Sequence, residues 1–560
     1  MFRITLRAKK SSTASHPVRE EEMNKNGPDH RSDPVLVVGG GPVGLTAALL
    51  LARQNVPSVV LERRIERSEA PRAHVINPRS MEIYRAFDFD VDAMVAHAAP
   101  PEDDGFSYFD WTTTGKQFGR ITFEQQDDTH TPHPRINLRQ PQLETLLLKE
   151  VARTALIDLR VGHRVVDLAT EQKSAVATVL DGAGHSYRIA SDFALACDGA
   201  NSEVRQRLGI GLHGQADVLR CLTIHFEADL RNMVGDRPGM FYWAVGAKLP
   251  GIFIAYDIDR TWVYLTFLAP EGTPSDEEAH WIVADALGTE SVKMDVRHVI
   301  PWTLTAQVAD CYREGPVFLV GDAAHRFPPS GGLGLNTGIQ DAHNLAWKIK
   351  AVRDGYADAS ILDTYDKERR RVAEENTAQS LTNAESALRV WQLAEDATQG
   401  EWDAAIAGMY DGLNSLALQI GFTYADEPMP HESVQGYVPR AHPGDRLPHT
   451  WCTVDGEPRS TLDLLEPQSF TLLTRSFGWS EVNFGDAPVS VRVIANVQIP
   501  AWWTDLTGLA GRGALLVRPD GHILARTGDD DTVAVQHMKS RLQAFLGNGS
   551  GHPGAKSRDI

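Results

Sequence analysis

Two glycine-rich turns, far apart in the chain, set the tightest limit on how it can fold. The first is "GGGPVG" at 39–44; the second opens "GDAAHRFPPSGGLGLNTGIQDAHNLAWKI" at 321–349. Each follows a short β-branched apolar run and feeds a run of helical periodicity. That order predicts two strand–turn–helix units of a parallel α/β sheet, each with backbone N–H groups free at a helix N-terminus.

In the first unit Gly39, Gly41 and Gly44 have GxGxxG spacing. Such glycines allow a tight turn, close approach of backbone to a pyrophosphate, and close packing of helix on strand. A second strand, "SVVLERR", brings Glu62 about twenty residues on, where an acid accepts hydrogen bonds from ribose hydroxyls. This unit alone fits NAD or FAD equally. The second unit favours a longer ligand. Asp322 at a strand end suits a polyol hydroxyl, "PPSGGLGLNTG" can bring bare backbone to a flat ring, and a helix beginning near Asn336 would stabilise negative charge on it. One turn then holds the ADP half and the other the flavin half of a single FAD.

The remaining features bound the alternatives. With 560 residues, two or three domains are expected. A net charge of −19 and the lack of a Lys/Arg block argue against a nucleic-acid partner. The four cysteines, Cys197, Cys221, Cys311 and Cys452, form no CxxC pair and read as reduced thiols of a cytoplasmic protein; no Cys/His cluster has metal-ligand spacing. The apolar run at 35–52 is broken by glycines and a proline, so it reads as strand–turn–helix and no stable membrane association is expected. Residues 1–33 read as a disordered tail, with a transit peptide as the second reading of its acid-free start and Met23 as an alternative initiator.

The paired turns resemble those of the single-component (group A) FAD-dependent aromatic hydroxylases, the p-hydroxybenzoate and phenol hydroxylase type. Further stretches carry the resemblance: "ACDGANSEVRQRLGI" at 196–210, with Asp198, Gly199, Ser202 and Arg205; "RQPQLETLL" at 139–147; "PRAHVINPRSMEIYR" at 71–85; and "LDTYDKERR" at 362–370. "PRAH" and "FEADLRNMVGDRPGMFYWAV" look closest to the chlorophenol and 2-hydroxybiphenyl hydroxylase branch. The resemblance implies a Rossmann-like FAD-binding domain in two pieces (34–212 and 301–375), an inserted antiparallel or mixed-sheet substrate domain (213–300), a helical segment and linker (376–440), and a C-terminal thioredoxin-like domain (441–560), in a homodimer. It also implies NADPH or NADH as reductant, O2 as co-substrate, and hydroxylation of a small-molecule phenolic aromatic substrate, ortho to its hydroxyl, through a flavin C4a-hydroperoxide; a simple phenol, a biaryl and a polycycle stay open as that substrate.

The residues so implied to hold FAD are Gly39, Gly41, Val43, Gly44, Glu62, Arg63, Arg72, Gln140, Asp198, Gly199, Gly321, Asp322, Pro329, Gly334, Leu335 and Asn336. His74 is expected to meet the phenol hydroxyl, Pro328 to border the reacting edge of the flavin, and Tyr242, Trp243 and Tyr256, from strands rich in aromatics, to line the substrate. Three other readings stay open on the same scaffold: a halogenase, which would carry a Trp-x-Trp-x-Ile-Pro stretch not found here; an epoxidase; and a non-catalytic flavin-binding module.

Overall fold

Apolar runs of three to five residues, too short for a helix, become strands buried on both faces. The structure, a computed structural model, describes residues 33–70, 72–123, 128–426, 434, 436–528 and 533–547. The expected tail, with Met23, lies outside the described residues apart from Asp33. Strand β1 (Val35–Val38) and strand β2 (Ser58–Glu62) pair in parallel at the centre of a six-stranded sheet. Ala194–Ala196 and Val317–Leu319 continue it on one side and Ile157–Val161 on the other, all parallel; Arg313–Glu314 closes one edge antiparallel. Helix α1 (Pro42–Arg53) follows the first turn with proline in its first turn, where no N–H is missed. Helix α2 (Leu333–Arg353) follows the second. It begins at Leu333, before Asn336, because Gly332 takes the left-handed conformation (φ 64°) at its N-cap.

The second layer is an eight-stranded sheet. Its long strands are β3 (Leu212–Glu227), β4 (Phe241–Ala244), β5 (Gly251–Asp257), β6 (Thr261–Thr266) and β7 (Asp295–Ala309). They run β7-β3-β6-β5-β4 across the sheet, followed by Phe106–Asp110 and Gln117–Thr122. The expected substrate domain, 213–300, thus borrows two strands from the first half of the chain, and β7 runs beyond its limit. The reason is the edge of β4: its unpaired backbone would face solvent unless Phe106–Asp110 paired with it, in parallel. Strand alternation gives the sheet two apolar faces. Leu222, Ile224, Phe226, Tyr242, Trp262 and Tyr264 pack beneath the helix Asp276–Leu287. Trp243, Ile252, Ile254, Tyr256, Val263 and Leu265 point the other way, towards Val390 and Trp391 at the end of helix α3 (Asp363–Trp391). That helix is continuous through residue 375, so no boundary falls there.

The C-terminal module has a four-stranded sheet ordered Val489–Val493, Phe470–Thr474, Ala514–Val517, Ile523–Thr527. The first pair is parallel and the rest antiparallel, with helices Ala501–Thr507 and Ala534–Leu546, which is the thioredoxin topology expected. A buried charge cluster docks it. Arg518 donates to both oxygens of Glu368 on α3 (2.7 and 2.9 Å), and Lys348 on α2 donates to Glu368 at 2.7 Å. Trp347 donates to Asp520 at 3.1 Å. Burial opposes the charge on Glu368, but Arg518 and Lys348 hold its pKa at about 2; burial takes Lys348 down to about 8. Removing one member strands the others without water. Arg518→Ala is expected to cost about 3–5 kcal/mol in a denaturant-unfolding measurement, by analogy with broken buried pairs.

Candidate functional site

The first turn is built by three glycines with three different constraints. A β-carbon on Gly39 (φ 106°) would lie 2.4 Å from the Cys197 carbonyl oxygen, and one on Gly44 would lie 2.0 Å from the Gly39 oxygen. Those two permit close packing. At Gly41 a β-carbon would meet nothing within 4 Å. Open space over a helix N-terminus is what a pyrophosphate requires. Glu62 ends β2 below this turn; its Oε2 accepts from Gly40 N (2.8 Å) and its Oε1 from Arg64 N (2.7 Å). Each oxygen keeps a lone pair for a ribose hydroxyl. Arg63 is exposed and reaches Glu203 at 3.3 Å.

The second turn lies against the first. Val43 fills the gap: β-carbons on Gly321 (φ 63°) and Gly338 would approach its side chain to 3.2 and 2.7 Å. The Asp-Gly motif joins the same groove. Gly199 (φ 85°) and Gly334 both face open space. Asp198 Oδ2 accepts from Val204 N at 3.2 Å, while its Oδ1 is buried with no hydrogen bond among the described residues. Burial raises the Asp322 carboxyl even though its surface is open, with Arg72 and Arg326 opposing the rise. An orphaned carboxylate oxygen and three glycines with clear space above them fit a long polar ligand such as FAD. Arg72 and Pro329 are exposed beside it, Leu335 is half-buried and Pro328 is buried.

Two expected cofactor residues do something else with their side chains. Asn336 is buried; its Oδ1 accepts from Asn77 N (2.9 Å) and its Nδ2 donates to Val75 O (2.9 Å) and Gly332 O (2.7 Å). It clamps the loop carrying His74 to the start of α2. Gln140 donates to Glu144 (2.9 Å) and accepts from Ala73 N (3.4 Å), bracing the same loop.

His74 lies over the sheet, its ring centroid 4.8 Å from Tyr256 and 6.0 Å from Phe241. Its Nδ1 is 3.0 Å from Asn137 Oδ1, and Asn137 Nδ2 donates to Ala255 O at 3.0 Å. Ala255 O can only accept, which fixes the amide; its oxygen must then face a donor. Nδ1 of His74 therefore carries the proton and Nε2 is an acceptor. Burial lowers the His74 pKa to about 4, outweighing the Asn137 hydrogen bond, so the ring is neutral near pH 7.

Of the expected substrate residues, only Tyr256 stands beside His74. Tyr242 is a correction. It is fully buried on the opposite face, stacked on Tyr108, with its hydroxyl donating to Arg237 O at 2.8 Å. Trp243 has the correct face, but it is walled in between Phe109 and Trp391 and donates to Ser107 Oγ at 3.0 Å. Half-buried Phe241 takes the place beside His74. The period of two along β4 separates 241 and 243 from 242, a signal present in the sequence. Asn137 had no such signal, nor had Arg67, which donates to Gly40 O (2.9 Å) and Glu144 (2.7 Å).

Comparison with known proteins agrees with this geometry. A family model described as "FAD binding domain" matches residues 32–380, and one described as "Aromatic-ring hydroxylase, C-terminal" matches 440–549. The chain is 31% identical to the tetracenomycin B2 monooxygenase-dioxygenase of Streptomyces olivaceus, over 90% of this chain and 97% of the relative. It is 30% identical to the 2,4-dichlorophenol 6-monooxygenase of Delftia acidovorans, over 90% and 98% respectively. Among solved structures, the flavin-dependent monooxygenase PieE in complex with FAD and substrate superposes with a TM-score of 0.83 at 29% identity, over 92% of this chain and 99% of PieE. No helix among the described residues is long and apolar enough to cross a membrane.

The two kinds of glycine separate in a simple experiment. Gly41→Ala is expected to leave the melting temperature of the cofactor-free protein unchanged while weakening FAD binding at least about tenfold, since a methyl group enters empty space a ligand needs. Gly44→Ala is expected to lower the melting temperature itself. Thermal unfolding and flavin-fluorescence titration read the two effects.

Proposed function

Because the chain belongs to the FAD-dependent aromatic-ring hydroxylases, a monooxygenase family, we propose that it hydroxylates a phenolic ring ortho to the hydroxyl, with NAD(P)H as reductant and O2 as co-substrate. The observation that carries the phenolic part is the pairing of His74 with Asn137 and Ala255, which leaves Nε2 as a neutral acceptor among apolar walls.

FAD held in the groove and reduced by NAD(P)H would activate O2, one atom of which enters the ring while the other leaves as water; the chain must supply the rest. An oxygen electrophile attacks the ring carbon of highest electron density. Withdrawing the phenolic proton raises that density ortho and para to the oxygen. Nε2 of His74 is suited to take the proton, because burial has already removed the competing proton from the ring. The proton bound at Nε2 then makes an imidazolium, whose Nδ1–H donates to Asn137 Oδ1 more strongly than before. Phe241, Tyr256 and Ile254 keep water off the reacting centre, which protects the activated oxygen from wasteful release as peroxide. Pro328 and Pro329 bring no N–H to the loop facing it.

The same geometry fixes a sign for pH dependence. A histidine lowered from 6.5 to about 4 stays a base as pH falls through 6 and 5, and is lost only near 4. Product formation is therefore expected to show no acid limb at 6.5 attributable to His74. His74→Ala is expected to retain FAD and to lose about 10²-fold in hydroxylation rate, with NAD(P)H oxidation diverted to H2O2. Product detected by mass alongside peroxide released measures both. A fully coupled His74→Ala enzyme would remove this residue from the chemistry.

A further inference from the structure

A second histidine stands on the same face of the sheet as the groups beside His74. The pairings run in one row across the sheet: Phe241 opposite Ile254, Ile254 opposite Val263, Val263 opposite His225, and His225 opposite His298. Leu222, Ile224 and Phe226 of β3 face the far core, so alternation turns His225 towards the site. His225 is 8% exposed, and neither Nδ1 nor Nε2 has a hydrogen bond among the described residues. Its ring stacks on His298 at 5.4 Å.

A buried polar ring with both nitrogens unpartnered is costly, because each group loses water and gains nothing. Such a group marks a place where a ligand or an ordered water completes the pairing. Burial and His298 hold the pKa of His225 at about 4, so the ring is neutral, with one N–H to give and one lone pair to receive. Its natural complement is a hydroxyl or carbonyl oxygen. The residues between it and Phe241, Ile254 and Val263, are apolar and suit the flat face of a ring system.

We propose that His225 is a specificity-determining residue, and that the substrate is an elongated polycyclic phenol whose far end carries a second oxygen to meet it. Strand β3 lies two strands from β5 and three from β4, the strands that carry Tyr256 and Phe241 beside His74, so His225 stands roughly 10–15 Å across the sheet from those two residues at the usual strand spacing. A single benzene ring does not span that; three or four fused rings do. The inference rests on the reading that His74 meets the reacting hydroxyl, and its test is one of binding without turnover, so that the two can fail separately.

The test uses FAD-loaded enzyme without NAD(P)H, titrated with 2-hydroxyanthracene and with 2,6-dihydroxyanthracene while the flavin spectrum reports occupancy. The wild type is expected to bind the dihydroxy compound about five- to tenfold more tightly, the worth of one buried hydrogen bond. In His225→Phe that preference disappears while 2-hydroxyanthracene binds as before, and His225→Gln restores part of it. If the preference survives in His225→Phe, or is absent from the wild type, His225 is satisfied by water and the proposal is overturned. If His225→Phe fails to fold with FAD, His225→Leu and His225→Ala decide in the same way. Loss of coupling in His74→Ala, with the His225 preference absent, would leave the hydroxylase reading standing and remove only this one.

Discussion

A buried carboxylate that belongs to neither glycine turn holds the second one in place. Asp341, on α2, accepts from Gly321 N at 3.1 Å, from His325 Nε2 at 3.0 Å and from Arg369 Nε at 2.7 Å. Burial works against its charge, but Arg369 and His325 keep its pKa below the usual carboxylate range. Arg369 is itself fully buried and reaches Thr337 O, Gln340 and the Tyr424 hydroxyl. The turn is therefore fixed by a buried cluster, Asp341 with His325 and Arg369, whose members have no access to water. Because Gly321 and Gly338 both close on Val43, fixing the second turn also fixes the first. The groove between them is set before any ligand arrives, which is the condition for tight binding of a long cofactor.

The same helix pair carries the C-terminal module. Tyr424 stacks on His522, whose neighbours Arg518 and Asp520 reach α2 and α3 through Trp347 and Glu368. Arg446, near the start of the module, donates to both oxygens of Glu82, next to the His74 loop. The module has no dithiol pair in the region where redox chemistry would need one. Its contacts are of a different kind: it closes the back of the two helices whose front ends hold the groove.

How much of this was legible depended on how local each cause was. GxGxxG spacing, the Asp-Gly motif and the second turn are decided by backbone sterics within a few residues, so they can be read directly from the sequence. The strand runs and the closing helix mark a small C-terminal α/β unit, and its thioredoxin topology is implied by the family resemblance rather than by those runs. The aromatic strands are legible in the sequence, but reading their rings as one set hides the period of two, which turns Tyr242 to the face opposite Phe241. The side-chain amide of Asn336 serves the backbone of residues 75–77, and the sequence separation, 259 and 261 positions, lies beyond any local rule. The strands at 106–122 were missed because what recruits them is the open edge of β4, a property of the assembled sheet.

Tautomer, position and surroundings of His74 come from three different parts of the chain, and this is what makes the site hard to reach by any shorter route. The loop at 75–77 is held by Asn336 on the flavin-side helix. The proton on Nδ1 is held by Asn137, whose own amide is oriented by Ala255 of the substrate sheet. The carbonyl of Ala255 points at Asn137 while the next side chain, Tyr256, walls the same ring. One strand thus sets both the acceptor character of the histidine and the width of the space beside it. A change in β5 that widened the pocket would at the same time loosen the amide and let the ring reverse its tautomer. Substrate size and acid–base competence are in this way coupled through a single backbone carbonyl, so a pocket of this design changes its substrate more readily along the row towards β6 and β3, where the floor is apolar and carries no part of that relay.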